Sequence, residues 1–414
     1  MKVSRRTTVL AALVAAASGP ASARVSTPAK PAATTVRIWT DSDRKAAVEK
    51  VAGNWARSRG VSVDVVVKQF GDIRDGLKTV KAENAPDVIV AAHDWTGELA
   101  ANGSVVPLVP KKSALKPIPL YARQAFSYGK TTSRLYGMPV TLENVGLFVN
   151  TKVAHVPKNF ADLEKQALKF QKKGGNRIGL AVQQGTGGDA YHMYPFFSGL
   201  CGYVFGRTSG GSLNPNNLGV ANKRFLKNAS LIDKWNKERL INSKVDGGAA
   251  QNAFTTGKAA FWITGPWNID TIRKAGISFK IVQVPKIKCR SVPFLGVNGF
   301  MVTRFAAGHG VASAAKDLVG NYMAGTSAQL TLANANGRYP ANKNAGKRVT
   351  DSALKAIGKA STGGVAMPNI PQMASVWTDL GSAWVKSTKG SGATKARAAF
   401  TTAARNIRAK INSG

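Results

Sequence analysis

Apolar positions in the first third of the chain recur in two periods. Val36-Arg37-Ile38-Trp39 and Val61–Val67 are short, β-branched runs that read as strands. The run Asp87–Ala92 is apolar after its first residue, as a strand covered on both faces must be. Between them Val48, Val51, Ala52 and Trp55 fall at i, i+3, i+4 and i+7, one helical stripe. Asp41 or Ser42 is placed to cap that helix and Gly60 to stop it. A second helix is expected around Ile73–Ala82. Strand, helix, strand, helix, strand is the rhythm of a parallel α/β lobe.

The same alternation returns after Gly137. Val145–Asn150, Ile178–Val182, Ala259–Thr264 and Ser278–Val284 read as strands, and Pro293–Val302 as a long segment crossing back. Helices are expected over 160–173, 191–202, 221–239, 247–257, 311–323 and 326–335, with Gln183–Asp189 and Gly337–Asn342 as loops and Asn214–Asn217 as a turn. Near the end stands Met367-Pro368-Asn369-Ile370-Pro371-Gln372-Met373. Each proline lacks an N–H and pushes its predecessor out of the helical region, so the stretch is extended, and Pro371 suits the first turn of a helix. After it Met373, Val376, Trp377, Leu380 and Trp384 follow at helical spacing. This is a rigid lead-in that aims a helix carrying two tryptophans.

Composition adds a compartment and an oddity. The chain has 414 residues, enough for two domains. Lys2, Arg5 and Arg6 precede the apolar run Val9–Ala17, then Gly19-Pro20 and the small-residue pattern Ala21-Ser22-Ala23. That is an export signal with cleavage after Ala23, too short to span a bilayer, followed by a Pro-, Ala- and Thr-rich lead-in over 24–35. Ser4-Arg5-Arg6 also fits twin-arginine export. No cysteine stands at the cleavage site to take a lipid, so the mature protein is expected to be secreted, in the periplasm or at the cell surface, with no anchor. Cys201 and Cys289 are the only cysteines; they can form one disulfide or stay as two buried thiols. The formal net charge is +37. Such a balance points to a polyanionic partner, but no zinc-finger spacing, RNP-like motif or basic zipper is present, so nucleic acid is not expected. Electrostatic association of a monomer with an anionic cell surface is the reading that fits an exported chain; a compositional bias with solvated lysines is the plainer one.

Several motifs agree with the proline-framed stretch. I-W-x-x-x-D at 38–43, P-D-x-I-x-x-A-H-D at 86–94, Y-G-M-P-V-x-x-E at 136–143, G-K-A-A-F-W-I-T-G-P-W at 257–267, F-L-G-V at 294–297 and M-P-N-I-P-Q-M at 367–373 stand in one order. Together they resemble the maltose/maltodextrin-binding proteins of ABC importers, over essentially the whole chain from Val36. The resemblance implies an α/β, two-lobe, periplasmic-binding-protein-like fold of type II, with a ligand cleft between lobes joined by crossover hinge strands. It divides the chain into a first lobe over 36–142 and 297–345 and a second over 146–293 and 348–414, with crossings at 143–145, 294–296 and 346–347. It implies a protein that captures malto-oligosaccharides, a cyclodextrin among them, and hands them to the subunits of an ABC permease, with no cofactor and no catalysis.

A sugar offers hydroxyls at its edge and C–H groups on its faces, so carboxylates and aromatic rings suit it together. By resemblance Asp43, Asp94 and Glu143 take hydroxyls, Arg44 supplies a cation, Asp189 and Tyr191 form an acidic and aromatic pair, Tyr194 adds an aromatic, and Trp267 and Trp377 stack on sugar rings. Each residue also has a plain structural use. Asp43 suits a second helix cap, Asp94 the cap of a helix starting near Thr96, Glu143 an ion pair at the hinge, and Tyr194 the core beside Phe196 and Phe197. The chain departs from the family pattern at Ala91, which replaces a stacking aromatic, with Trp95 nearby as its substitute. Thr378 and Gly381 replace larger residues beside Trp377, which is expected to open that side of the groove. A glycoside hydrolase would need two carboxyls flanking one bond at controlled separation; four acidic residues are expected near the cleft, so count does not exclude it, but three come from the lobe that takes hydroxyls, no G-x-S-x-G elbow is present and the four histidines show no ligand spacing.

Overall fold

A computed structural model describes residues 34–129, 132–335 and 337–413. The expected export signal over 1–23 and most of the expected lead-in lie outside the described residues. Two sheets organise the rest. The larger runs in the order Tyr339–Pro340, Gly137–Glu143, Phe294–Val302, Val88–Ala92, Thr35–Thr40, Ser62–Val67. Its first three strands in sequence are parallel, with Val36 beside Val63 and Ile38 beside Val88. Phe294–Val302 then pairs antiparallel to both Val88–Ala92 and Gly137–Glu143. Val88–Ala92 is buried at every position, which explains its unbroken apolar run. The helix Lys45–Arg59 buries Val48, Val51, Ala52 and Trp55, and Gly60 ends it in the left-handed region at φ 66°.

The second sheet is Phe279–Val282, Gly146–Asn150, Ala259–Thr264, Ile178–Val182. Its two faces are legible in the period-2 alternation of its strands. Leu147, Val149, Phe261 and Ile263 join one core, while Phe148 and Trp262 join another on the opposite face. The first of these cores is closed by Ala190–Gly199, Trp377–Thr388 and Ala396–Ser413; the second by Gly247–Thr255 and Ser352–Ala360. A separate core under the larger sheet runs from Val36 to Val140 and from Val297 to Leu332.

Local expectations changed in several places. The helix expected around Ile73–Ala82 instead spans Phe70–Gly76, and Ala82–Asn84 is a short 3-10 turn of its own. Asn214–Asn217 is not a turn but lies in the strand Leu213–Leu218, hairpinned to Phe205–Arg207. The reversal sits at Thr208–Ser212, where Gly211 has φ 83°. The helix Ser352–Ala360 was not expected at all, though Asp351 caps it and Ala353, Leu354, Ile357 and Ala360 form its buried stripe. Cys201 and Cys289, left open by the sequence, are joined in a disulfide. It ties the end of the Ala190–Gly199 helix to the loop preceding Phe294.

The proline-framed stretch does more than aim a helix. Pro371–Ser375 is a 3-10 turn, and the α-helix proper begins at Trp377. Upstream, the Asn369 amide donates to the carbonyls of Gln124, Ala125 and Ser127 at 3.0–3.1 Å. A side chain on Gly97 would meet the Asn369 carbonyl at 2.4 Å, so glycine is required there. His93 completes the junction. Its Nδ1 accepts from the Val297 N–H at 3.1 Å, so its Nε2 carries the proton and donates to the Met367 carbonyl at 3.0 Å. A neutral imidazole thus links two segments that pass between the cores.

Candidate functional site

One cleft of about 570 Å³ lies between the two sheets, within the usual range for small-molecule sites. From the side of the larger sheet it is lined by Asp43 and Arg44, by Asp94 and Trp95, and by Glu143. From the other side come Tyr191, Trp267 and Trp377. The positions follow from the strand ends. Asp43 and Arg44 come just after Thr35–Thr40, Asp94 and Trp95 just after Val88–Ala92, and Glu143 ends its own strand. Trp267 follows the strand Ala259–Thr264 in a Gly-Pro-Trp turn, and Tyr191 and Trp377 sit in the first turns of their helices.

Two residues expected in the wall are not in it. Tyr194 is 2% exposed and its ring stacks on Phe294, with centroids 3.4 Å apart, so it is core. Asp189 does not line the cleft either. It caps the helix Ala190–Gly199, and both its oxygens are engaged by His192 and Gln183. Burial works to raise the Asp189 carboxyl, but the His192 ring holds it below its ordinary value. The groove beside Trp377 is not open as expected. Gly381 is buried, and a side chain on Gly188 would meet the Gly381 carbonyl at 2.1 Å, so the backbone of the 183–189 loop fills that space. Thr378 is exposed and does not line the cleft. Ala91 is buried in the core, while Trp95 stands in the cleft wall against Phe70, ring centroids 4.8 Å apart.

The charged groups form a balanced cluster. Arg44 pairs with Asp41, and its guanidinium lies 5.0 Å from the Phe70 ring centre. Glu143 accepts from Arg338 Nε at 2.6 Å and lies 3.9 Å from Arg44. Burial pushes the Glu143 carboxyl up, yet Arg338 and Arg44 hold it below its ordinary range, so it stays ionised. Asp94 is the exception. Its Oδ2 accepts from Trp377 Nε1 at 3.1 Å across the cleft, and burial raises its pKa from 3.8 to about 6. Tyr191 is raised well above the ordinary phenol value, by burial first and then by Glu143 and Asp189.

Several buried polar atoms in this wall have no hydrogen-bond partner among the described residues: Asp94 Oδ1, Tyr191 Oη, His192 Nε2 and Arg338 Nη1. Leaving such an atom unpaired costs about 1–3 kcal/mol. Four in one cleft, among the faces of Trp95, Tyr191, Trp267 and Trp377, are an arrangement for binding a ligand that is polar at its rim and apolar on its faces.

Comparison with known proteins agrees with that geometry. The profile of the family described as bacterial extracellular solute-binding protein matches residues 50–359. The chain belongs to that family. As a solute-binding protein it is similar to a galactooligosaccharide-binding protein of Bacillus subtilis (strain 168), 27% identical over 359 residues, which covers 84% of this chain and 82% of the relative. It is also similar to a maltodextrin-binding protein of the same organism, 26% identical over 346 residues, covering 80% of this chain and 79% of the relative. Among solved structures, Thermus thermophilus maltotriose binding protein bound with maltotriose superposes with a TM-score of 0.80 at 26% identity, covering 91% of this chain and all of that one. The solute-binding protein therefore has the two-lobe, type II fold of this class, and no described helix is long and apolar enough to cross a membrane.

The solute-binding protein's cleft also holds residues that the sequence reading passed over. Arg338 lies in the loop after the Thr326–Ala335 helix, 5.6 Å from the Trp267 ring, and supplies the partner that Glu143 needs. His192 follows Tyr191 in the first turn of the Ala190–Gly199 helix and lines the cleft beside it. Gln183, Phe70 and Arg74 are also among the lining residues. Arg338 had no signal beyond its place in the loop expected over Gly337–Asn342. His192 had one: Asp189, three residues before it, stands where a helix cap is due.

Proposed function

We infer that the protein captures a malto-oligosaccharide in this cleft and delivers it to the membrane subunits of an ABC permease. The observation that carries the reading is the combination of unpaired polar atoms with several aromatic faces in one hollow. A pyranose ring presents C–H groups to Trp267 and Trp377 and hydroxyls to Asp94, Tyr191 and Arg338. Asp43, Arg44, Trp95 and Glu143 complete the first wall of the site in this reading. The names of the maltodextrin-binding relative and of the maltotriose-bound structure support the choice of sugar. Filling of the Gly381 side by backbone favours a linear chain over a bulkier cyclodextrin.

In the same reading the lobes are 36–142 with 297–345 and 146–293 with 348–414, turning about 143–145, 294–296 and 346–347. Supporting this, the hydrophobic cores change hands between Val140 and Val145 and between Phe294 and Val297. Ligand touching both walls shifts the population toward closure, and the closed outer surface is what a permease reads. The 27% identity to a galactooligosaccharide-binding protein favours a second ligand of the same kind. Intrinsic tryptophan fluorescence decides between them, titrated with maltose, maltotriose, longer maltodextrins, a cyclodextrin, trehalose and a galacto-oligosaccharide. Saturable change with linear glucans is expected. Response to the galacto-oligosaccharide alone would replace the sugar, and silence toward every one would remove the function.

A further inference from the structure

We propose that His192 is the second lobe's hydrogen-bond acceptor for the ligand, with Asp189 as the residue that positions it. The inference rests on the reading of the cleft as an oligosaccharide site. Asp189 Oδ1 accepts from the His192 backbone N–H at 2.9 Å. Its Oδ2 lies 2.8 Å from His192 Nδ1 and 2.8 Å from Gln183 Nε2. An ionised carboxylate only accepts, so an imidazole proton sits on Nδ1, and a ring carrying that proton alone offers a bare lone pair at Nε2. That atom is buried without a partner among the described residues, in a ring that is 5% exposed and lines the cleft.

The surroundings fix where the lone pair is. The imidazole meets Trp267 edge to face at 5.8 Å between ring centres and Tyr191 likewise at 5.6 Å. The carboxylate expected to meet the ligand on this side is spent on capping and on orienting the ring. An acceptor held between aromatic faces suits one hydroxyl donor of a sugar whose C–H face lies on Trp267. Arg338 Nη1, near the same tryptophan, supplies a donor. A ligand with a hydroxyl that both gives and receives fits the two together, and a ligand carrying a bare acceptor at that place does not.

The test uses the full mature chain and maltotriose, by isothermal titration at neutral pH. His192→Phe keeps a ring and removes the acceptor; it is expected to weaken binding on the order of 10-fold. His192→Gln, which returns an acceptor oxygen, is expected to recover part of that loss. Asp189→Asn keeps a good helix cap but offers its amide N–H to Nδ1, so the ring proton moves to Nε2 and binding weakens in turn. Two-bond 15N–1H correlation of the imidazole reads the tautomer directly: Nδ1–H in the parent chain, Nε2–H in Asp189→Asn. A doubly protonated His192 in the parent, or His192→Phe binding within twofold of it while Trp377→Ala is weakened, overturns the inference and leaves the sugar-binding reading standing. A parent chain that ignores malto-oligosaccharides overturns both.

Discussion

Asp94 is held where a carboxylate is costly. Its pKa rises from 3.8 to about 6 because it is buried, and the folded protein binds that proton more tightly than the unfolded chain does. Its effect on stability is therefore most favourable in acid and is lost as pH rises from about 3.8 through 6, roughly 3 kcal/mol at 1.36 kcal/mol per unit. His93 does the opposite. Burial lowers its pKa from 6.5 to about 4, so the unfolded chain takes up the proton first and stability is lost as pH falls from 6.5 to 4, again by roughly 3 kcal/mol. In the parent chain the two slopes oppose one another. Asp94→Asn removes one of them: urea denaturation is expected to show a gain of about 1–3 kcal/mol at pH 7 and a steeper loss toward pH 4. A flat difference between the two proteins across that range would show that Asp94 is not strained. Binding should fail in the other direction, since the same variant removes an acceptor for the sugar. Trp377→Ala is expected to weaken maltotriose binding by about 1–3 kcal/mol, as truncating a buried aromatic anchor does; unchanged affinity in titration would take Trp377 out of the site. At this scale Trp267 stood out because a Gly-Pro turn seldom spends such a side chain, and Trp377 only through the resemblance of the M-P-N-I-P-Q-M run before it. Asp189 was legible as a residue but not in its role, because which way a capping carboxylate spends its second oxygen depends on a neighbour three residues on. Arg338 was not legible, because a single arginine in a chain this basic carries no information.

Elements explain what the sequence could not assign. The strand Leu213–Leu218 holds Asn214, Pro215, Asn216 and Asn217, all turn formers. Its pairing with Phe205–Arg207 comes from the true turn at Gly210-Gly211, so the context overrides propensity. Ser352–Ala360 carries both marks of a helix, the Asp351 cap and the stripe Ala353, Leu354, Ile357 and Ala360, within only nine residues. The loop 183–189 is the element whose shape matters most for the ligand. Gly188 has φ 76° and touches the backbone at Gly381, so two features forbid a side chain there. Gly188→Ala is expected to cost about 2 kcal/mol or more in urea denaturation. It should also change the glucan length preferred, because the loop must lift from the Trp377 helix. A variant as stable as the parent, with the same length profile, would mean that the loop yields freely.

At the scale of the molecule, charge and topology carry the argument. The chain holds 58 basic and 21 acidic residues. Lys237, Arg239, Lys244 and Lys389 line one hollow of about 520 Å³ with no acidic side chain in its wall. Retention on anionic vesicles is therefore expected at low ionic strength and loss of it by about 0.5 M salt, where the field of the surface is screened within a few ångströms. Equal elution at both salts would leave the charge as composition alone. The sugar cleft, with its charges paired, should bind alike at both. Topology has a consequence of a different kind. In the larger sheet Val88–Ala92 pairs with Thr35–Thr40 on one side, yet its other edge is covered only when Phe294–Val302 arrives, and the second lobe's core waits for Ala396–Ser413. A chain emerging from its N-terminus cannot complete either lobe until nearly all of it has appeared. Such long-range pairing makes folding slow, so the N-terminal strands can pair early, but the hollow between the two sheets comes into being only with the last segments of the chain.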